Sequence, residues 1–406
     1  MQAIISPGKI SGDVTPPPSK SMMQRACAAA LLNKGRTTIL NPGTSNDDKA
    51  ALNIIQQLGA KVVINNNSVE ISSDGLVPIT NTIDCGESGL STRVFTTIAA
   101  LHNEPVTIVG HGSLLHRPMD FFEKVLPQLG VTVASNNGHL PITVKGLLTA
   151  KDITIDGSAS SQYLSGLLMA YCYHPVEQLV RIHVDELKSK PYADLTIEVL
   201  QQFGAVVLHQ DHKLFAIKKA IQPGNVTINI EADWSASANW LVASAIAGVV
   251  TIHNLNLDSV QADKAIIRVV STEKKAFEFD ATDCPDVIPI LAVYAGNCNG
   301  DSVIKGIHRL VNKESNRIES TSKMLEQLGV LFEIKNDAFY IHGMEQFNSC
   351  IIDSYNDHRI AMAAAVAALN ADGDVTINNA EAVNKSYPDF FSHLSSLGAK
   401  CILKHE

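Results

Sequence analysis

Ile54-Ile55-Gln56-Gln57-Leu58-Gly59 reads as the tail of an amphipathic helix, closed by a bulky residue and a glycine suited to a left-handed C-cap. The residues after it alternate as strands do, Val62 to Ile64 and Val69 to Ile71, around the polar turn Asn65-Asn66-Asn67. The phrase returns as Val125-Leu126-Pro127-Gln128-Leu129-Gly130 and as Val199-Leu200-Gln201-Gln202-Phe203-Gly204. It comes again as Met324-Leu325-Glu326-Gln327-Leu328-Gly329 and last as Leu394-Ser395-Ser396-Leu397-Gly398. The five glycines are separated by 71, 74, 125 and 69 residues. The long interval is close to two periods, which places a sixth unit between Ala232 and Asp286. Its helix is expected over Val260–Val270, with no Leu-Gly terminator or full hairpin behind it, so the fourth unit reads as truncated.

A second series has the same count. Ala26–Leu32, Val94–Leu101, Leu164–Cys172, Asn239–Ala247, Val287–Ala295 and Ile360–Leu369 read as short helices apolar on all sides. A helix without a polar face must be buried all round, which leaves the amphipathic helices outside, nearer the sheets. The expected fold is α/β, with two domains of three repeated αβ units, each packed around buried parallel helices as an inside-out α/β barrel. The halves divide near Glu231-Ala232-Asp233, and the chain start, Ile4 to Gly8, completes the second half. The domains are therefore 1–18 with 232–406, and 19–231, joined by a hinge at 16–21 and 230–234. No GxGxxG follows a strand, which argues against a dinucleotide-binding sheet.

Composition narrows the function. A 45% hydrophobic chain of 406 residues has ample core, and its longest apolar runs, around Trp240–Ile252 and Ile360–Leu369, are too short to span a membrane. The start Met1-Gln2-Ala3-Ile4-Ile5 lacks the basic and apolar regions of a signal peptide. Seven scattered cysteines without a CxxC pair fit reduced thiols used for packing, in a cytoplasm. A net charge of −9 argues against a nucleic-acid binder, so any basic site is a local concentration in an acidic protein.

Such a concentration begins at Pro16-Pro17-Pro18-Ser19-Lys20-Ser21-Met22-Met23-Gln24-Arg25. Three prolines fix an extended approach, the serines offer N-cap oxygens, and Lys20 and Arg25 add cations where a helix already presents free N–H groups. This arrangement suits an anion, most simply a phosphate; the other reading is a capped helix with surface cations. Similar polar phrases precede further buried helices: Gly86-Glu87-Ser88-Gly89-Leu90-Ser91-Thr92-Arg93, Gly157-Ser158-Ala159-Ser160-Ser161-Gln162 and Tyr355-Asn356-Asp357-His358-Arg359. Their repeat-equivalent placement favours a shared anion site over separate caps. Asp357 with His358 and Asp47 with Asp48 also read as helix caps, the latter for an outer helix from Lys49, and Ser91 and Thr92 as helix fillers.

Nine phrases in one order carry a resemblance. They are PPSKS..R at 17–25, G..G...R at 86–93, RPM at 117–119, GSASSQY at 157–163 and SKPY at 189–192. PD at 285–286, NKESNR at 312–317, NDHR at 356–359 and KSYPDFF at 385–391 complete the set. The chain resembles the 5-enolpyruvylshikimate-3-phosphate synthase family along essentially its whole length. The resemblance implies two domains of three repeated units, agreeing with the repeat count. It implies transfer of the enolpyruvyl group of phosphoenolpyruvate to the 5-hydroxyl of shikimate 3-phosphate, through a tetrahedral intermediate and with release of phosphate. It implies no metal, no organic cofactor, no nucleic acid or membrane partner, and a monomer.

By the same resemblance, shikimate 3-phosphate falls to Lys20, Ser21, Arg25, Ser160, Ser161, Gln162, Ser189, Tyr192, Asp286 and Lys313. Phosphoenolpyruvate falls to Lys20, Gly89, Arg117, Gln162, Arg317, Arg359 and Lys385. Asp286, helped by Lys20, is the expected base and Glu314 the expected proton donor to the methylene carbon, with Lys385 a further catalytic candidate. Arg93 and Lys190 are further cations of the site. The domain 19–231 is expected to bind shikimate 3-phosphate, and substrates to close the two domains about the hinge. Glu87 and Leu90 depart from the family's Asn and Thr. A carboxylate there would repel phosphoenolpyruvate unless it turns to a cation such as Arg93, and sensitivity to glyphosate stays open. The related transferase acting on UDP-N-acetylglucosamine carries a Lys-Asn pair and a loop cysteine. This chain has Lys20-Ser21, and Gly112-Ser113-Leu114-Leu115-His116 before Arg117-Pro118, with no cysteine. A binder of nucleic-acid ends or a non-catalytic relative is disfavoured by net charge and by Asp286 and Glu314.

Overall fold

The computed structural model describes residues 1–175 and 178–405. The chain divides into two compact units, Met1–Pro17 with Ala232–Glu406, and Pro18–Glu231. Among the described residues there are eleven α-helices. They are α1 (Lys20–Leu32), α2 (Asn46–Gln57), α3 (Gly89–Ala99), α4 (Phe121–Val125), α5 (Ser161–Tyr171) and α6 (Lys190–Gln202) in the one unit. The other holds α7 (Trp234–Ala247), α8 (Ile288–Gly296), α9 (Arg317–Gln327), α10 (His358–Ala368) and α11 (Phe390–Ser396).

Burial sorts these helices as their side chains dictate. α1, α3, α5, α7, α8 and α10 are buried along nearly their whole length, whereas α2, α6 and α9 bury one face and leave the other to water. In the unit Pro18–Glu231 the two classes alternate, with the short, half-buried α4 between α3 and α5. The glycines ending the repeated phrase, Gly59, Gly130, Gly204, Gly329 and Gly398, all have positive φ, the conformation that closes a helix. In the second repeat Pro127 cannot donate to the preceding turn, so α4 stops at Val125 and Leu126–Leu129 tightens to a 3-10 turn. α3 and α5 approach closely because Gly166 has no side chain: a Cβ there would sit 2.8 Å from the Arg93 carbonyl oxygen and 2.9 Å from Thr97 Oγ1.

Each repeat adds a sheet. In the first, the order is Val226–Asn229, Gly35–Leu40, Ser68–Ser73, Lys61–Ile64, with the first pair parallel and the rest antiparallel. Three further sheets repeat that pattern. A fifth is completed by the chain start: Gln2–Ile5 lies between Val375–Asn378 and Cys401–Lys404, antiparallel to both. The remaining sheet has two strands, Gly248–Ile252 parallel to Ile10–Val14, and no hairpin. The helix expected over Val260–Val270 is a shorter 3-10 segment, Ala262–Arg268. Gln261 anchors its start, accepting from the Trp234 N–H and donating to the Ala232 carbonyl, and the β-branched Val269 and Val270 end it. No described helix is long and apolar enough to cross a membrane.

The chain has two tryptophans, Trp234 and Trp240, both buried in α7. Trp240 donates to the Tyr387 hydroxyl at 3.0 Å and stacks on Phe390. Their fluorescence therefore reports on one unit alone. Leu291 in α8 is fully buried in that unit, and Leu291→Ala should cost about 2–5 kcal/mol. Urea unfolding followed by tryptophan emission should show a clearly lowered midpoint; an unchanged midpoint would contradict the burial of α8 on every side.

Candidate active site

A helix apolar on every face meets water only at its ends, and polar residues collect there. Ser19, Ser88, Ser160, Asp233 and Asp357 cap α1, α3, α5, α7 and α10, each accepting a backbone N–H from the first turn. α8 differs. The turn before it, Pro285–Val287, makes no side-chain cap, and its acidic residue, Asp286, turns instead to cations.

In the unit Pro18–Glu231, Arg25 on α1 is fully buried. Its guanidinium donates to Thr196 Oγ1 (2.8 Å), the Ser21 carbonyl (2.9 Å), Ser165 Oγ (3.2 Å) and the Tyr192 carbonyl (3.3 Å). Among the described residues these acceptors are all neutral, and burial pulls its pKa down to about 10. Gly89, Arg93, Arg117 and Gln162 form a neighbouring group. Arg93 donates to Gln162 Oε1 at 2.8 Å, and Arg117 to Ser113 Oγ at 3.1 Å. A Cβ at position 89 would lie 2.8 Å from a terminal nitrogen of both arginines, so glycine is what lets the two cations converge. The buried Nε of Arg93 and Nε2 of Gln24 have no hydrogen-bond partner among the described residues, leaving donors for an incoming acceptor.

Ser160, Ser161 and Gln162 stand at the start of α5, and Ser189, in the left-handed region, with Lys190 and Tyr192 at the start of α6. Lys20 opens α1, 2.8 Å from Asp47. The Glu87 carboxylate lies beside Gly112, where a Cβ would meet it. The expected helix from Lys49 in fact begins at Asn46. Ser45 and Asp48 form its capping box, and Asp47 holds Lys20 instead of capping. Ser91, expected as filler, donates to Gln24 Oε1 beside Ser88.

The other unit gathers Asp286, Lys313, Glu314, Arg317 and Arg359. Asp286 Oδ1 accepts from Arg317 (2.8 Å) and Lys313 (3.2 Å), and its Oδ2 from Arg359 (3.1 Å). Arg317 also donates to Glu314 at 2.5 Å and, through two nitrogens, to Asp357 at 2.7 and 3.1 Å. Burial works against ionising Asp286, but Arg359, Lys313 and Arg317 outweigh it and hold the carboxyl well below its usual range. Burial likewise opposes the charge on Arg317, and Asp357, Glu314 and Asp286 more than restore it. Desolvation lowers the Lys313 ammonium, with Asp286 opposing. Lys385 donates to the Asn356 carbonyl at 2.7 Å.

Asp357 caps α10 as expected, and also holds Arg317. That second role was not legible in the sequence, and neither were the pairing of Asp47 with Lys20 and the hydrogen bonds of Gln24, Ser165 and Thr196. The two acidic residues side by side at 47 and 48 were the one visible signal among these.

Fold and site together define an α/β protein of repeated units with buried cations grouped near the starts of buried helices. The chain belongs to the EPSP synthase (3-phosphoshikimate 1-carboxyvinyltransferase) family, whose profile matches residues 4–394. It is 34% identical over 414 residues to the 3-phosphoshikimate 1-carboxyvinyltransferase of Clostridium acetobutylicum, covering 97% of this chain and 96% of that one. It is 32% identical over 421 residues to that of Clostridium novyi, covering 97% of each. The fold matches the solved EPSP synthase of Acinetobacter baumannii with a TM-score of 0.82 at 23% identity, over 99% of this chain and 100% of that one.

Two outcomes follow from the charges. Asp357→Asn removes a fully buried partner of Arg317 and should cost about 3–5 kcal/mol in the tryptophan-monitored unfolding; a cost near zero would show that Glu314 and Asp286 suffice for Arg317. Burial pushes the Asp48 carboxyl up to about 7 against the hydrogen bonds from Ser45, while the unfolded value is about 3.9. Between about pH 4 and 7 the folded chain keeps a proton that the unfolded chain has lost, so this group's contribution to stability falls as pH rises through that window and is flat above it. Asp48→Asn should remove that part of the slope in thermal unfolding followed by circular dichroism, and a slope equal to wild type would contradict the buried, raised carboxyl.

Proposed function

We infer that this chain transfers the enolpyruvyl group of phosphoenolpyruvate to the 5-hydroxyl of shikimate 3-phosphate, giving 5-enolpyruvylshikimate 3-phosphate and phosphate. The reaction belongs to the shikimate pathway to aromatic amino acids. Membership of the EPSP synthase family over residues 4–394 is the observation that carries this reading.

The roles within the reaction are our proposals. Each unit is read as an inside-out α/β barrel, with its buried helices ending at the chemistry. In the unit Pro18–Glu231, Ser21, Arg25, Ser160, Ser161, Gln162, Ser189 and Tyr192 are proposed to hold shikimate 3-phosphate. Supporting this, Arg25 is a buried cation surrounded by neutral oxygens, and a phosphate would supply the missing negative charge. In the other unit, Arg317, Arg359 and Lys385 are proposed for phosphoenolpyruvate.

Asp286 is proposed to take the proton of the 5-hydroxyl as its oxygen bonds to C2 of phosphoenolpyruvate, and Glu314 to give a proton to C3. The Glu314 carboxylate then takes a proton back from C3 as the bond from C2 to the phosphate oxygen breaks, and phosphate leaves to yield product. Arg359, Lys313 and Arg317 hold the Asp286 carboxyl well below its usual range, which makes it a weak base, and the Glu314 carboxylate is paired with Arg317. A substrate anion that takes over Arg317 and Arg359 draws two cations from Asp286 and one from Glu314. The Asp286 carboxyl then rises toward the range where it exchanges protons, and Glu314 is released from its ion pair. Substrate binding would thereby switch on the acid and base.

The decisive assay is phosphate release from phosphoenolpyruvate with and without shikimate 3-phosphate. Release should depend on shikimate 3-phosphate; release without it would overturn the inferred reaction. Asp286→Ala and Glu314→Gln should each lower kcat by about 10²–10⁴-fold, with both substrates still bound by calorimetry, and near-normal kcat in both would remove these roles.

A further inference from the structure

Away from the anion-binding groups, three side chains of the unit Pro18–Glu231 converge on a different chemistry. His209 lies near the end of the strand Val206–Gln210, His212 in the turn that follows, and Asp194 on α6. Asp211 and His212 both have positive φ (51° and 55°), and this tight turn brings the His212 ring to 4.3 Å from that of His209. Phe215, on the return strand, packs against both imidazoles. One oxygen of Asp194 is 2.8 Å from His212 Nε2 and 3.6 Å from His209 Nε2, and ligand atoms of all three residues lie within 4.8 Å of one another.

We propose that Asp194, His209 and His212 form a binding site for a divalent transition-metal ion of the Zn²⁺ type. A hydrogen-bonded carboxylate needs one histidine; here two imidazoles address the same oxygen. Two imidazole nitrogens and one carboxylate suit Zn²⁺, Co²⁺ or Ni²⁺, whereas Mg²⁺ and Ca²⁺ prefer oxygen throughout. Ligand bonds of about 2.0–2.1 Å at the tetrahedral angle set donor atoms about 3.3 Å apart, and the two observed separations fall on either side of that value. The ion takes Nε2 of each ring once the ring proton sits on Nδ1, so no net proton need leave a neutral imidazole. His209 is exposed and its two partners half-buried, which leaves the fourth position to water. The ion would tie the strand pair to α6. Asp194 stands between Tyr192 and Thr196, the two residues of α6 that bind Arg25, so the tie is on the same turn of helix that orders that arginine. This inference is independent of the reaction inferred above.

The test uses the full chain, freed of metal with a chelator, and Zn²⁺ as the probe in competition with a chromophoric chelator. Wild type should take up one equivalent more than the double variant His209→Ala, His212→Ala, and Asp194→Asn should hold that equivalent at least tenfold more weakly. Co²⁺ should give a visible absorption band in wild type that the double variant lacks. His209→Gln, an exposed single change, gives the same comparison should the double variant be poorly folded, and circular dichroism with metal-free phosphate release checks that the fold is kept. Equal Zn²⁺ stoichiometry and affinity in wild type and in the folded variants would overturn the proposal and leave the three residues a hydrogen-bonded surface cluster.

Discussion

Six helices with no polar face are the constraint on which the rest depends. Such a helix is tolerated only where other elements cover its whole circumference, and a sheet on one side and a half-apolar helix on another provide that cover. Once the sides are closed to water, charged groups gather in the first two turns, as Arg25 does in α1 and Arg93 in α3. The capping serines and aspartates are the elementary form of that placement. The cation clusters extend it, since free N–H groups and nearby arginines favour the same ligands.

The two units manage buried positive charge in opposite ways. Arg317 is surrounded by Asp286, Glu314 and Asp357, and their attraction exceeds the cost of burying it. Arg25 has hydroxyls and carbonyls instead, and its pKa falls. The first arrangement stores one carboxyl, that of Asp286, whose low proton affinity depends on the cations around it. The second holds a cation whose electrostatic demand is left unmet by its hydrogen bonds. A chain using both needs no overall positive charge, and this one is acidic at −9.

Much of this was legible in the sequence because it was periodic. Glycine terminators after a bulky residue, evenly spaced but for one nearly doubled interval, marked the repeats, and unbroken apolar runs such as Ile360–Leu369 marked the buried helices. The short sheet of Gly248–Ile252 and Ile10–Val14 was visible as a missing hairpin. What could not be read was pairing between distant residues of similar type. Nothing local distinguishes an aspartate that caps from one that pairs: Asp48 caps α2 while its neighbour Asp47 reaches Lys20, and Asp357 does both. The neutral shell around Arg25 is drawn from α1, α5 and α6, and Thr196 and Ser165 carry no sign of it in their own surroundings. The 3-10 segment Ala262–Arg268 was misjudged for a similar reason, since its start is fixed by the contacts of Gln261 with Trp234 and Ala232.

The resident carboxylates also bear on ionic strength. Lys20 already faces Asp47, and Lys313, Arg317 and Arg359 already face Asp286. Under the proposed roles, an anionic ligand at these cations takes the place of a resident carboxylate, which leaves fewer salt ions to be displaced. Ligand binding by such a protein varies less steeply with salt concentration than its count of site cations would suggest, because the counter-ions it releases are its own side chains.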